Sequence, residues 1–302
     1  MTISRAIGSK GKMVGTKGLP LSGVRIVDAT LMWAGPFCTA QLAVLGAEGI
    51  KIEAPTGDPM RGMVAPVPGS GAYPGGEPGE RPYNRAGFFN QVNRNKLSAC
   101  IDLKTPTGKL LFKDLVKISD VVVDNFGGGV MDRLDLGYDV LRQVKSDIIM
   151  LCMPGFGSTG PEKDYAGYGI VLEPLSGLSS VTGYADDDMP MKTGVDHMDP
   201  MVGTHAAGAI VAALLHRKRT GKGQYIETSH LEAAAFLLGE AFMEYSMNDR
   251  VPKRRGNRHP FLAPHGCYPC RGDDRWVTIA VASEAEWEAL CTAMGQPEWS
   301  RD

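Results

Sequence analysis

Excess charge of one sign, closely spaced cysteines and long apolar runs are all scarce in this 302-residue chain, and each scarcity removes a class of function. Lys and Arg number 32 against 34 Asp and Glu, for a formal net charge of −2. An electrostatic nucleic-acid binder usually carries a basic excess, so no nucleic-acid partner is expected. The short basic clusters Arg217-Lys218-Arg219 and Lys253-Arg254-Arg255 read as solvated faces or as phosphate contacts. Six cysteines scattered over this length form no disulfide framework, which points to reduced thiols and a cytoplasmic address. Cys267-Tyr-Pro-Cys270 is a lone CxxC with no second pair to complete a zinc tetrad, and no metal is expected. No run of about 18 apolar residues is found, so no membrane span is expected. The first 19 residues are basic and glycine-containing, and they read as a disordered extension rather than a secretory leader.

What is present suits a large globular core, with 43% hydrophobic and 22% charged residues. Val24-Arg-Ile-Val-Asp28 is β-rich. Gly35-Pro36 opens an apolar helix through Leu45, Gly46 stops it, and Gly49-Ile-Lys-Ile-Glu53 resumes as a strand. Strand, helix, strand with short connections is a βαβ unit. It recurs as a strand at 98–103, a helix at 107–118, and strands at 120–124 and 148–152. The expected class is therefore α/β, a doubly wound parallel sheet. Residues 54–87 are crowded with Gly and Pro and read as a long surface loop. A helix rich in small residues follows at 201–219, then a strand at 224–228, one long helix at 231–247, a strand at 276–281 and a helix at 284–294. The expected domains are 20–230, a linker at 231–255, and a smaller α+β domain from 256.

Asp199-Pro200 stands at the head of the small-residue helix. Asp is a good N-cap and Pro a good first helical residue. A capping carboxylate is also held as an anion by the helix terminus, and an anchored carboxylate facing a cleft is able to attack a carbonyl. Spacing alone does not separate the two roles.

Other words in the sequence bear on the choice. Ala34-Gly35-Pro36 is followed by Leu45 through Glu53, then Asn93-Arg94-Asn95-Lys96 leads into Ile101-Asp102-Leu103-Lys104. Asp124-Asn125-Phe126, Met131-Asp132-Arg133, Gly155-Phe156-Gly157, Ser176-Gly177-Leu178 and Thr220 through Gln224 come next in order. Together these resemble the class III coenzyme A transferases (the L-carnitine dehydratase and bile-acid-inducible protein family) over roughly residues 20 to 300. Counting back from Thr220-Gly221, the resemblance places the catalytic Asp at Asp199, with Asp196 the nearby competitor. It implies a Rossmann-like CoA-binding domain, an interlocked dimer, and contacts to CoA from Met32, Trp33, Ala34, Lys104, Asn125, Arg133 and Gly155. For Trp33 the plain alternative is core; for Lys104 and Arg133 it is a solvated face. Ala54 and Pro154 stand where some relatives carry basic residues. His205 reads as a packed or capping histidine.

The activity implied is transfer of CoA from an acyl-CoA to a small carboxylic acid through covalent intermediates on Asp199. No cofactor is expected to be permanently bound; acyl-CoA is substrate. The segment from Arg255 to Gly266 corresponds to a loop that shields those intermediates from water. Acyl-CoA racemases share the fold but carry a Gly-His-Asp word where this chain has Gly167-Tyr168-Gly169. A third reading is a CoA-binding or non-catalytic subunit of a mixed complex. Family members continue beyond residue 302, so the sequence also reads as C-terminally truncated, with exposed sheet edges and apolar surface expected.

Overall fold

In the computed structural model, residues 18–61, 73–185, 189–194 and 196–298 are described. Most of the expected N-terminal extension and the middle of the Gly/Pro-rich loop lie outside them. The chain divides into two compact units, one of residues 1–176 and 195–237, the other of 177–194 and 238–302. The expected boundary near 230 left 177–194 with the large domain; the structure groups that excursion with the second unit.

The first unit is built on a parallel sheet in the order β3-β2-β1-β4-β5-β6. Its strands are β1 (Arg25–Asp28), β2 (Glu48–Glu53), β3 (Lys96–Cys100), β4 (Val121–Asp124), β5 (Ile149–Cys152) and β6 (Tyr225–Glu227). The central strands read as unbroken buried runs because both sheet faces are covered: β4 and β5 are buried at every residue. Phe112, Leu115 and Val116 of α3 (Pro106–Lys117) and Leu141 of α5 (Tyr138–Val144) pack with Val27, Ile50, Val122 and Met150 in one core cluster. Thr105 caps α3 by accepting from Gly108 N–H at 3.0 Å.

The helix after β1 is α1 (Ala34–Val44), and it ends where Gly46 adopts a φ of 106°. Across it lies α7 (Met198–Thr220), closed by Gly221 at a φ of 71°. A Cβ on Gly203 would come within 2.6 Å of the Ala34 carbonyl, so only glycine lets the two helices meet this closely. By length and composition α7 could cross a membrane, where the sequence reading counted no such run. In the fold it lies on α1 and buries Val202, Ala206 and Ile210.

Several short elements escaped the sequence reading. Among its described residues the Gly/Pro-rich loop contains three 3-10 turns, Pro59–Arg61, Pro74–Gly76 and Pro82–Asn84, and it runs into α2 (Gly87–Val92). Helices α4 (Val130–Arg133) and α6 (Gly169–Leu175) were also unforeseen. The single helix expected at 231–247 is two, α8 (His230–Phe236) and α9 (Gly239–Asn248). Gly239 weakens helical continuity there, and the break coincides with the passage from one unit to the other.

The second unit holds α9, a hairpin of β7 (His265–Pro269) and β8 (Trp276–Ala280), and α10 (Glu284–Ala293). Strand β7 begins at the end of the expected 255–266 loop and runs into residues to which the sequence reading gave no element. Helix α9 buries none of its residues, and Phe242, Met243, Tyr245 and Met247 are exposed.

Candidate active site

The strand order reverses between β1 and β4, which pair with each other while their connections leave to opposite sides. Open α/β sheets bind ligands outside the carboxyl ends of strands at such a point. The segments leaving these two strands, Leu31 to Ala34 and Asn125 to Gly127, line a cavity of about 510 Å³.

The turn after β1 is held rigidly. Asn125 accepts from Leu31 N–H and donates to the Leu31 carbonyl, both at 2.7 Å. Met32 takes a φ of 64°, which bends the chain so that Trp33 lies edge-on to Phe88, with ring centroids 4.7 Å apart. A Cβ on Gly35 would meet Thr30 at 2.5 Å, so glycine is needed to close the turn. Beneath it lies a buried charged cluster. Asp28 accepts from Lys96 at 2.8 Å and from the Thr39 hydroxyl at 2.7 Å. Lys51 pairs with Asp58 at 2.9 Å and also donates to the Thr30 carbonyl. Burial pushes the Asp28 carboxyl upward, but the Lys96 and Lys51 charges and the hydrogen bonds from Lys96 and the Thr30 hydroxyl more than offset it, leaving a pKa of about 2.

The opposite wall comes from α6, α7 and α8. Asp199 lies in the first turn of α7, whose N-cap is His197, not Asp199 as the sequence suggested. The helix starts at Met198 because Pro200 is tolerated anywhere in the first turn, where its missing N–H has no intrahelical acceptor. The Asp199 side chain is 17% exposed and opens on the cavity. A Cβ on Gly169 would fall 2.6 Å from its Oδ2, so the carboxylate sits against bare backbone. On the other side, His230 Nε2 is 3.5 Å from Oδ1. Asp196 lines the same cavity.

Of the residues singled out in the sequence, Met32, Trp33, Ala34, Asn125, Gly155 and Asp199 come together here. Lys104 and Arg133 do not. Lys104 is exposed on the turn after the edge strand β3, and Arg133 is exposed with Nη1 turned 3.4 Å from the Gly128 carbonyl. His205 is exposed and packs edge-on against Phe236, away from this wall. His230 was missed. Its one signal was its place just past β6, at the carboxyl edge of the sheet. Among the described residues no group of three His, Cys, Asp or Glu side chains could hold a metal ion.

A model of CoA-transferase family III matches residues 21–302. The chain belongs to that family. Its similarity to named members extends over most of its length. It is 35% identical to the succinate–glutarate CoA-transferase of Agrobacterium fabrum, over 91% of this chain and 66% of that protein. It is 36% identical to the succinyl-CoA–D-citramalate CoA-transferase of Chloroflexus aurantiacus, over 94% of this chain and 67% of that one. The chain thus spans about two thirds of the length of these relatives. The crystal structure of a CAIB/BAIF family protein from Brucella suis superposes with a TM-score of 0.81 at 33% identity, covering 94% of this chain and 72% of that one.

Proposed function

We propose that this chain transfers coenzyme A from an acyl-CoA to a carboxylic acid, with Asp199 as the covalent nucleophile. The observation that carries the reading is a single one: the Asp199 carboxylate opens on a cavity at the sheet's switch point, against a residue with no side chain. Relatives named for succinyl-CoA and for glutarate, citramalate and mesaconate supply the substrate class.

The chemistry follows from the carboxylate. An Asp199 oxygen attacks the thioester carbonyl, the carbon–sulfur bond breaks, and an aspartyl anhydride and CoA thiolate result. The thiolate attacks the aspartyl carbonyl carbon, the donor acid leaves as its carboxylate, and CoA remains as a thioester on Asp199. The acceptor carboxylate then attacks that thioester, and the same steps in reverse give acceptor-CoA and free Asp199. Division into steps between activated acyl groups keeps each barrier low. Met32, Trp33, Ala34, Asn125 and Gly155 would hold the pantetheine end, and Lys104 and Arg133 the anionic nucleotide end further out.

The cavity wall described here carries no Lys or Arg, so a dicarboxylate gains no cationic partner from it. The test therefore uses glutarate and a monocarboxylic acid of similar length as rival acceptors for succinyl-CoA. The expected result is a CoA adduct on the Asp199 peptide with succinyl-CoA alone, reactive to hydroxylamine, and new acyl-CoA when an acceptor is added. Asp199→Ala should abolish both and Asp196→Asn neither. An adduct that persists in Asp199→Ala refutes the reading.

A second reading has one observation in its favour. A His beside a carboxylate in one cavity is also the pair that proton transfer at an α-carbon needs. Deuterium uptake at the α-carbon of an acyl-CoA in heavy water, without an acceptor acid, would select it.

A further inference from the structure

The two oxygens of Asp199 are not equivalent. Oδ2 is the oxygen nearest the open side of Gly169, while Oδ1 faces His230 at 3.5 Å. His230 is only 6% exposed, and its other ring nitrogen, Nδ1, is buried with no hydrogen-bond partner. A buried N–H without an acceptor is costly, so the proton of a neutral ring belongs on Nε2, where Asp199 is in reach. The ring is also firmly placed. Ser229 caps α8 by accepting from Glu232 N–H at 3.3 Å, and the His230 and Leu231 N–H groups donate to the Pro154 and Gly155 carbonyls at 3.2 and 3.1 Å.

We infer that His230 Nε2–H is the hydrogen-bond donor for Asp199 Oδ1, and that it stabilises the charge formed there when the aspartyl carbonyl is attacked. The inference rests on the reading of Asp199 as nucleophile and assigns a group to a step that reading leaves unassisted. When Oδ2 has formed the anhydride, Oδ1 is the aspartyl carbonyl oxygen. The CoA sulfur bonds to Cγ, and the carbonyl electron pair moves onto Oδ1. The oxyanion then collapses, the Cγ–Oδ2 bond breaks, and the donor acid departs as its carboxylate carrying Oδ2. The acceptor carboxylate's attack on the aspartyl thioester places charge on the same oxygen. A separation of 3.5 Å is long for a resting hydrogen bond, and catalytic contacts of this kind shorten in the reacting complex. The donor is pre-aimed at an oxygen whose charge exists only in transit, which is where such a group lowers a barrier.

The test compares the parent with His230→Leu, which removes the donor, and His230→Gln, which keeps an N–H at similar reach. Circular dichroism and the thermal midpoint establish that each variant folds. With succinyl-CoA and glutarate, His230→Leu is expected to lose about 100-fold in kcat, with KM for succinyl-CoA changed by less than about threefold. His230→Gln is expected to recover most of that loss. Nitrogen-15 NMR of histidine-labelled parent should show His230 as the Nε2-protonated tautomer, a readout that needs no turnover. A folded His230→Leu that matches the parent, equal loss in Leu and Gln variants, or an Nδ1-protonated ring would each overturn the inference while leaving Asp199 as nucleophile. Absence of any CoA adduct on the parent's Asp199 would instead remove the proposed function, and this inference with it.

Discussion

At the scale of single residues, the site is shaped as much by what Gly169 omits as by what Asp199 supplies. Gly169 opens α6 with a backbone conformation any residue adopts, so alanine there costs the helix nothing. Its methyl group would nevertheless stand 2.6 Å from Oδ2 and 3.0 Å from Cγ of Asp199, and the carboxylate would have to turn away. Displacement of a reacting atom by about 1 Å costs on the order of 100-fold in rate. Gly169→Ala should therefore keep the parent's thermal midpoint and lose roughly 10- to 100-fold in the rate of CoA adduct formation on Asp199, measured by quenched-flow mass spectrometry. Adduct formation at the parent's rate would mean that the carboxylate turns freely and that its observed pose is irrelevant to the chemistry.

At the scale of elements, the β1–α1 turn holds four of the cavity residues and depends on charge buried beneath it. Lys96 reaches from β3 under β2 to Asp28 at the end of β1, and it also donates to the Pro36 carbonyl at 2.8 Å in the first turn of α1. Lys96→Met would leave Asp28 buried without its main partner, a change that typically costs about 3–5 kcal/mol, to be read from urea unfolding. The sign of the pH effect follows from the lowered pKa. Asp28 titrates near 2 in the folded protein against an ordinary 3.8, so its stabilising contribution is complete above that range and is lost as pH falls from about 3.8 to about 2. That acid limb should shrink in Lys96→Met. None of this cluster was legible in the sequence. The buried strands, the α1 and α7 helices and their glycine stops were legible, because they are written in local periodicity and in residues that permit one conformation. Lys96 and Asp28 are distant in sequence, and each alone looks like a solvated charge. His230 was hidden for the same reason: its partner lies on another helix, and the Ser229 cap beside it accounts for the local pattern. The long helix at 231–247 misled in the opposite direction, since its periodicity continues through Leu237 and Leu238 while the fold breaks there to change units.

At the scale of the whole molecule, the chain passes between its two units three times, and each passage adjoins an element of the cavity wall. Helix α6 ends just before residues 177–194, α7 begins just after them, and α8 ends at the last crossing. Gly169, Asp199 and His230 therefore sit on helices of the first unit that pack on one another and lie next to the crossings in sequence. The units differ sharply in burial. Strands β4 and β5 have no exposed residue, while β8 is exposed at four of its five positions and, among the described residues, pairs only with β7. Amide exchange follows local opening, which is governed by buried contacts and the number of paired neighbours. In hydrogen-exchange mass spectrometry of the intact chain, peptides covering 121–124 and 149–152 should be the slowest to exchange and those covering 265–280 among the fastest strand peptides. Peptides from the start of α7, at 198–203, should fall with the slow class, because Met198, Val202 and Gly203 are buried against the large unit. If they exchanged with the hairpin instead, the segment carrying Asp199 would open with the second unit, and the carboxylate would not be held ready by the sheet at all.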